Sequence, residues 1–532
     1  MVASSADLLE ALERYWGSRA FRPLQQEIIE AVLARRDAAV VMPTGGGKSL
    51  CYQMPALFLD GTALVVSPLI ALMRDQVEQL NRRGIRAAAL NSSVGWAEQQ
   101  KIQQELQAGT LKLLYLAPER LLREDTRELL RQARVCYFAI DEAHCISEWG
   151  HEFRPEYRQL SGLRELHPQA PILAFTASAT QRVRHDILAQ LQLRDPAKFI
   201  RSFERANLRY LARLAGPEEQ WRLLEAALGA HRGSSVIVYA ATVVQVEETA
   251  SKLSKRGFPA VAYHAQMEPA RRRAAQEGWM NTDPSVLVGT VAFGMGIDKP
   301  DVRAVIHLTL PKSIEQYYQE AGRAGRDGDP SDCLLLWQQR DVGVIAFFLK
   351  QITDDQERIR AWRRFNDMRH YAEAAHCRHV VISRHFGERA KSQICQMCDA
   401  CGAAPDWLAA REERAATVRE RSRRPEPPPE PDQQQAAIVR ERSPRPERIR
   451  QEPTAADEPV FVRLRAWRLE IARREKIAPF MILHDSVLRS IAAVRPDSSE
   501  SLSQISGIGP AKLAKYGEEV LQVVARKEAI SH

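Results

Sequence analysis

The chain has 532 residues, too many for one hydrophobic core, so three or more domains are expected. Hydrophobic residues make up 45% and charged residues 27%, the balance of a globular protein, and the net charge of +8 suits a polyanionic partner without singling one out. There is no apolar run of spanning length and no cationic-then-apolar amino terminus, so neither a membrane nor secretion is expected, and a cytosolic setting is.

Residues 7–15 have helical spacing and lead into a loop from Trp16 to Gln25. Gln25 carries both the donor and the acceptor that reading an adenine edge requires, and Arg22 can stack or bond beside it. Taken alone, the stretch is a loop before a helix. An apolar run, Ala38 to Val41, then ends in Met42-Pro43-Thr44-Gly45-Gly46-Gly47-Lys48-Ser49, with an amphipathic segment from Leu50. This reads as strand, tight loop and helix, a phosphate cradle in which glycine amides close around an anion. Lys48 reaches the β- and γ-phosphates, and the Ser49 hydroxyl ligates Mg²⁺. The general pattern has glycine where Met42 stands.

Residues 63–69 read as a buried strand followed by a helix from Ile70 to Leu80, and residues 111–116 repeat the design. Val135 to Ile140 gives another strand, with Asp141-Glu142-Ala143-His144 at its carboxyl end, where ligands sit in an open parallel sheet. Asp141 is expected to hold Mg²⁺ through water and Glu142 to orient and deprotonate the attacking water. The next segment, Cys145 to Tyr157, is aromatic and basic, suited to sensing a single strand beside the hydrolytic centre. A loop packed by its own Trp and Phe is the other reading. Thr176 to Thr180, after a strand from Ile172 to Phe175, is a hydroxyl-rich strand end fit for a relay between nucleotide and nucleic acid.

A second alternating series follows, with strands at Ser235–Tyr239, Ala260–Tyr263, Val286–Val288 and Ala304–Leu308. Its special loops run from Gly289 to Pro300, including Asp298, and from Gln316 to Gly328. In the latter, Arg323 and Arg326 are spaced to share one helical face, as arginine fingers delivered onto a γ-phosphate.

Among the eight cysteines, Cys51, Cys136, Cys145 and Cys333 stand among apolar neighbours and read as buried reduced thiols. Cys377 is followed by Cys395-x-x-Cys398-x-x-Cys401, whose two consecutive steps set three thiolates around one ion, with the fourth completing a closed, structural Zn²⁺ site. A disulfide is the rival reading. From about residue 403 the chain turns rich in Pro, Arg, Glu and Gln, with residues 418–426 nearly repeated at 439–447. Such a stretch is expected to be a disordered tether, or else a DNA or partner contact through its Arg clusters. Helical periodicity returns at 459–527, where Gly507-Ile508-Gly509 precedes Lys512 and Lys515, a hairpin fit to take a DNA phosphate.

Phe-Arg-Pro-x-Gln, Met-Pro-Thr-Gly-Gly-Gly-Lys-Ser, Asp-Glu-Ala-His-Cys-Ile-Ser, Trp-Gly-His-Glu-Phe-Arg-Pro-Glu-Tyr, Ala-Phe-Gly-Met-Gly-Ile-Asp-Lys-Pro and Tyr-Tyr-Gln-Glu-Ala-Gly-Arg-Ala-Gly-Arg-Asp-Gly together resemble the RecQ family of superfamily 2 DNA helicases. The resemblance covers most of residues 10–401. It implies an α/β chain of two tandem RecA-like P-loop domains (1–205 and 206–345), a helical zinc-binding subdomain (346–405), a disordered linker (406–458) and a small all-α HRDC-like domain (459–532). It implies ATP hydrolysis in the cleft with Mg²⁺, 3′ to 5′ movement on single-stranded DNA, unwinding, and a role in repair or recombination. Arg22 and Gln25 would read adenine, and Thr44, Gly45, Gly46, Gly47, Lys48, Ser49 and Asp298 would line the nucleotide. Asp141, Glu142 and His144 would serve hydrolysis, and Arg323 and Arg326 would be the fingers. Trp149, Phe153 and Arg154 match the aromatic-rich loop that couples DNA to hydrolysis.

Ser18 departs from the family, whose members often carry an aromatic or imidazole group there, so base stacking is expected to be weaker or supplied by Arg19. A winged-helix domain often follows the zinc subdomain in this family, and no stretch here is long or apolar enough to be one. The alternative is therefore a single-strand DNA translocase or annealing ATPase that unwinds poorly. The HRDC-like bundle is expected to assist single-strand binding, or to bind protein. Expected partners are single-stranded, tailed or forked DNA, with single-strand-binding protein or other repair proteins beside it, in the cytoplasm and at the nucleoid of a bacterium.

Overall fold

The computed structural model describes residues 3–525 except 93, 282–285, 292–298, 391, 410–457, 476–481, 484, 506–507 and 509. Asp298, the repeat at 418–447, and Gly507 and Gly509 therefore lie outside the described residues. The chain forms two compact units, one up to residue 424 and one from residue 425.

The first unit holds two sheets, each parallel throughout. In the first are β1 (Ala38–Val41), β2 (Thr62–Val66), β3 (Ala87–Leu90), β4 (Leu113–Leu116), β5 (Val135–Ile140), β6 (Ile172–Thr176) and β7 (Ala197–Ile200), in the order β3-β4-β2-β5-β6-β1-β7. β2 and β4 are buried at every residue, because helices cover both faces of a parallel sheet and an uninterrupted apolar run fits. The order sets β5, β6 and β1 side by side. Their carboxyl ends deliver Asp141, Thr176 and the glycine loop to one edge.

The second sheet holds β8 (Leu208–Leu214), β9 (Ser235–Tyr239), β10 (Ala260–Tyr263), β11 (Val286–Gly289), β12 (Val302–His307) and β13 (Ser331–Trp337), in the order β10-β11-β9-β12-β13-β8. One of its faces shares a core with the helices Asp355–Glu373 and Arg378–His385, where Tyr210, Tyr317, Phe365, Met368 and Phe386 are all buried. The cysteine-bearing segment is thus built onto the second lobe.

Two expectations need correction. The ordered chain does not stop at residue 405: the short helix Asp406–Ala409 turns Leu408 and Trp407 into the core beneath Pro217–Ala230, so the proposed linker begins later. Arg323 and Arg326 do not share a helical face, because the helix Ile314–Ala321 ends before them. Gly325 has φ +54 and a Cβ there would lie 2.4 Å from Asn207, so the chain turns instead of continuing.

The described residues of the second unit form the helices Glu458–Glu475, Asp485–Val494, Ser499–Ser503 and Pro510–Ala525 around Leu464, Ile471, Leu488, Ile491, Leu502 and Val520. Trp467 donates to Glu519 at 2.8 Å. Among the described residues no helix is long and apolar enough to cross a membrane.

Buried Asp37, just before β1, accepts from the Ile172 amide at 2.9 Å, the Arg194 amide at 2.7 Å and the Arg164 guanidinium. Removing one partner of a buried ion pair leaves the other uncompensated, so Asp37→Ala should cost about 3–5 kcal/mol. A fall in the thermal midpoint, followed by circular dichroism, is the check.

Candidate active site and metal centre

Above the carboxyl edge of the first sheet lies a cleft of roughly 540 Å³, lined from one side by Thr44, Lys48, Ser49, Asp141 and Glu142 and from the other by Gln319, Arg323 and Arg326. Its floor is the glycine loop. Gly45 and Gly47 both have φ +79, a region that a side chain disfavours, and a Cβ on Gly47 would meet the Gln25 amide nitrogen at 2.3 Å. The Gln25 amide donates to the Gly47 carbonyl at 3.2 Å and its oxygen accepts from the Arg22 amide at 2.8 Å. Arg22 in turn donates to the Gly45 carbonyl. Both side chains expected at the base are therefore tied to the phosphate loop.

Lys48 donates to the Met42 carbonyl at 3.3 Å, which holds its ammonium across the loop. Asp141 is 5% exposed, and burial with the neighbouring Glu142 charge raises its pKa, while Lys48 pulls it down. A carboxylate so short of positive charge, with Ser49 lining the same cleft, fits a divalent cation. Glu142 has φ 47, a strained value for a side chain of its size, and this turn aims it into the cleft. Burial opposes its charge, but His144, 3.3 Å away, holds its carboxyl below the usual range.

His144 starts a chain of contacts. Its Nδ1 lies 3.0 Å from the Thr176 hydroxyl, Thr176 accepts from the Ser178 amide at 3.3 Å, and Gln319 donates to the Ser178 hydroxyl at 2.8 Å. Glu142 is thereby joined, through His144, to the second lobe. Arg205, which the sequence did not flag, donates to the carbonyls of Thr44 at 3.2 Å, Gly322 at 3.4 Å, Ala324 at 3.2 Å and Gly325 at 2.9 Å. It clamps the arginine turn to the phosphate loop.

The aromatic-rich loop stands beside this centre. Two guanidinium groups lie over the half-buried Trp149 ring, Arg182 at 3.1 Å and Arg360 of the Asp355–Glu373 helix at 5.4 Å. Phe153 meets Arg158 at 5.7 Å, and Arg154 donates to the Pro68 carbonyl at 3.4 Å, at the end of β2. His151 stacks on His144 with centroids 4.7 Å apart and planes 8° from parallel. His144, His151 and Glu152 bring ligand atoms within 4.8 Å of one another, yet parallel imidazoles do not aim their in-plane lone pairs at one ion. In the second unit Lys515 is exposed over the Tyr516 ring at 5.0 Å and Lys512 is half-buried.

The sulfurs of Cys377, Cys395, Cys398 and Cys401 lie within 4.8 Å of one another. Four thiols without a carboxylate suit a soft, tetrahedral ion, and backbone amides of Arg378 and Met397 already point at Cys398 and Cys395, at 3.4 and 3.3 Å. Asp399 pins this loop to β8, accepting from the Ala212 amide at 2.9 Å and from Arg378 at 2.9 and 3.1 Å. The other four cysteines are buried thiols; burial pushes Cys51 and Cys136 up to about 12.

The chain matches the DEAD/DEAH box helicase family over residues 22–187, the helicase conserved C-terminal domain over 219–328, the RecQ zinc-binding domain over 339–402 and the HRDC domain over 457–524. It is 35% identical to the ATP-dependent DNA helicase RecQ of Haemophilus influenzae over 603 residues, spanning 98% of this chain and 96% of that one. It is 33% identical to the helicase of the same name from Bacillus subtilis, over 96% and 97% of the two chains. The chain belongs to the RecQ family. This RecQ-family chain also shares its fold with two solved structures: Mss116, a DEAD-box helicase bound to single-stranded RNA (16% identity, TM-score 0.53, 71% of this chain and 92% of that one), and S. cerevisiae Dbp5 bound to RNA and ADP-BeF3 (16%, 0.51, 68% and 98%).

The family's zinc-binding domain falls on the four-thiol cluster, so the ion it takes is zinc. Cys398→Ser should abolish bound zinc, measured by elemental analysis, and lower the thermal midpoint, because the loop that anchors β8 loses its knot. Gly47→Ala should raise the KM for ATP by roughly tenfold, since forcing a side chain into left-handed backbone costs about 1–3 kcal/mol. Steady-state ATP hydrolysis is the measurement.

Proposed function

We infer that this chain is an ATP-dependent DNA helicase that moves 3′ to 5′ along single-stranded DNA and separates duplex strands in repair or recombination. The observation that carries the reading is the approach of Arg323 and Arg326, from the second lobe, to the Thr44–Ser49 loop of the first across one cleft. In the supported mechanism, loop amides and Lys48 hold the β- and γ-phosphates while Arg22 and Gln25 turn from the loop carbonyls to the base. Mg²⁺, held by Ser49 and Asp141, would supply positive charge between the phosphates. Glu142 accepts the proton of the attacking water, and His144 holds Glu142 and passes its position to Thr176. Arg323 and Arg326 stabilise charge on the transferred phosphoryl group. Closing and opening of the lobes with each turnover then moves DNA held by Trp149, Phe153 and Arg154, with Lys512 and Lys515 of the second unit as auxiliary contacts. Asp298 is proposed as a further nucleotide contact on the family resemblance alone.

Domain limits near residues 205, 345 and 405, the last moved past Ala409, belong to this reading. So do single-strand-binding protein and other repair proteins as partners, and a nucleoid location in a bacterium. Of the chain between the zinc-binding match, which ends at 402, and the HRDC match, which starts at 457, the sequence leaves only a Pro/Arg/Glu-rich stretch, so strand separation is proposed to rest on the motor itself. The relatives named as helicases over nearly their whole length favour unwinding over the weak-unwinding alternative.

The test uses 3′-tailed and 5′-tailed duplexes with ATP and Mg²⁺, and Glu142→Gln as control. The 3′-tailed duplex alone should open, and the variant's turnover should fall by about 10²-fold or more, the contribution of a general base. ATP consumed with both duplexes intact would leave a translocase.

A further inference from the structure

The aromatic-rich loop carries an acid where contact with a polyanion calls for cations. Glu148 precedes Trp149, and its two carboxylate oxygens are held by different modules. One lies 3.0 Å from Arg158 at the foot of the same loop, and the other 3.5 Å from Arg360 of the helix Asp355–Glu373, which packs on the second sheet. The second contact thus crosses from the first lobe to the zinc-binding subdomain. Arg360 is itself held in place: Glu357, one helical turn earlier, accepts from its Nε at 3.0 Å, and its side chain is only 12% exposed. From there it also stands over the Trp149 ring at 5.4 Å. The exposed Arg182, in the first turn of the helix Gln181–Gln190, stands over the same ring at 3.1 Å.

A single strand is gripped through its bases, which stack on aromatic rings, and through its phosphates, which pair with guanidinium forks. In this loop the ring is taken by two guanidinium groups, and Nη1 of Arg360 faces a carboxylate, which offers the same planar pair of acceptors as a phosphate edge. A base gains the face of Trp149 only as a guanidinium leaves it, and a phosphate gains Arg360 only as Glu148 leaves it. The contact to be broken is a weak one. Glu148 has 35% of its side chain in solvent, where an ion pair contributes little and salt screens it. Glu357 stays on Nε and keeps the fork aimed, so the nitrogen facing Glu148 is the one open to exchange.

We propose that Glu148 is a built-in competitor for DNA phosphate: it holds Arg360, and a single strand binds by displacing it, a base taking the Trp149 ring and a phosphate the guanidinium of Arg360. Arg360 is thereby a DNA-contacting residue of the zinc-binding subdomain, and Glu148 sets how tightly the loop holds a strand. The exchange is balanced in charge, since one anion replaces another on the same group. It also unties the loop from the helix Asp355–Glu373, because the ion pair that DNA replaces crosses between the lobes.

The proposal rests on the reading of this chain as a single-strand DNA motor, and the experiment separates the two. Binding of a fluorescently labelled oligo(dT) strand is followed by anisotropy over a range of salt for the full chain, Glu148→Gln, Arg360→Gln and the double variant, beside DNA-stimulated ATP turnover and the thermal midpoint. Glu148→Gln should tighten binding by about threefold, the size of one half-exposed ion pair, and lower by the same factor the DNA concentration that gives half-maximal stimulation. Arg360→Gln should weaken binding and reduce the slope of log affinity against log salt by about 0.7, the share of one phosphate on a single strand. In the Arg360→Gln background the Glu148 substitution should no longer tighten binding, because nothing is left to compete for. Tightening that persists there is plain charge repulsion and overturns the competition. So does Glu148→Gln binding no tighter than the unmodified chain, or Arg360→Gln leaving the slope unchanged. If Arg360→Gln melts early, Glu148→Gln decides alone by its own criterion. An unmodified chain that neither binds nor responds to single-stranded DNA overturns the functional reading and this proposal with it.

Discussion

The structure of the motor depends on one guanidinium group. Arg205 sits just before the second sheet begins and gives its donors to four carbonyl oxygens, one on the phosphate loop and three on the turn that carries Arg323 and Arg326. Carbonyls at a turn buried between two lobes have no strand or helix to satisfy them, and leaving them bare would cost about 1–3 kcal/mol each. A planar fork that never loses its charge solves this in one residue, where lysine offers only a compact point charge. The same contact holds the turn that carries Arg323 and Arg326 against Thr44 of the phosphate loop. Glycine is required for the approach: a Cβ on Gly322 would lie 2.8 Å from the Tyr318 carbonyl and one on Gly325 2.4 Å from Asn207.

Around that clamp, the cleft concentrates charge that the fold alone would not retain. Asp141 and His144 are buried with Glu142 half-buried between them, and the carboxylates repel one another while Lys48 and His144 offset them. A parallel sheet makes such a cluster possible, since β5, β6 and β1 lie next to one another and end at the same edge. Every strand before that edge is apolar, so the polar groups can stand nowhere else. The line from Glu142 through His144, Thr176 and Ser178 to Gln319 follows from that adjacency. Residues far apart in sequence become one path of polar contacts because two strand ends are neighbours.

What the sequence disclosed follows the same physics. The phosphate loop, the Asp141–His144 stretch, the four clustered cysteines and the apolar strands β2, β5, β6, β9 and β10 were legible because each depends on local spacing: three glycines before Lys48, a carboxylate pair after an apolar run, two consecutive C-x-x-C steps. β3, with three alanines, and the edge strand β7, with alternating exposure, carry no strong apolar signal. β8 mixes buried and exposed positions and finds its partner β13 more than a hundred residues away, and β13, between β12 and β8, was overlooked although residues 333–337 are an apolar, fully buried run. The spacing of Arg323 and Arg326 suggested a helical face, but the helix ends at Ala321 and positive φ at Gly325 turns the chain between the two arginines. Arg205, Arg182 and Arg360 gave no signal at all: their partners are carbonyl oxygens and an indole ring brought together only by tertiary packing. The tether was read to begin too early because composition averages over Leu408, one side chain that the core needs.

The zinc-binding segment is the remaining link between composition and mechanism. Its cysteines occupy little of the chain, yet its helices complete one face of the second sheet, and Asp399 within the cysteine loop holds the Ala212 amide of β8. Beside β8 runs β13, and beside β13 runs β12, whose His307 meets Glu320 of the arginine-bearing helix at 2.9 Å. From the other side, Arg360 reaches the ring of Trp149 and lies 3.5 Å from Glu148. The metal knot is thus tied to the nucleotide cleft through the sheet and to the aromatic-rich loop through the half-buried Arg360. A module that shares a core with the motor lobe cannot act as an independent appendage: any strain in it is transmitted through close-packed side chains to the turn that Arg205 clamps. The four-thiol site therefore belongs to the core of the second lobe and is not an appendage to it.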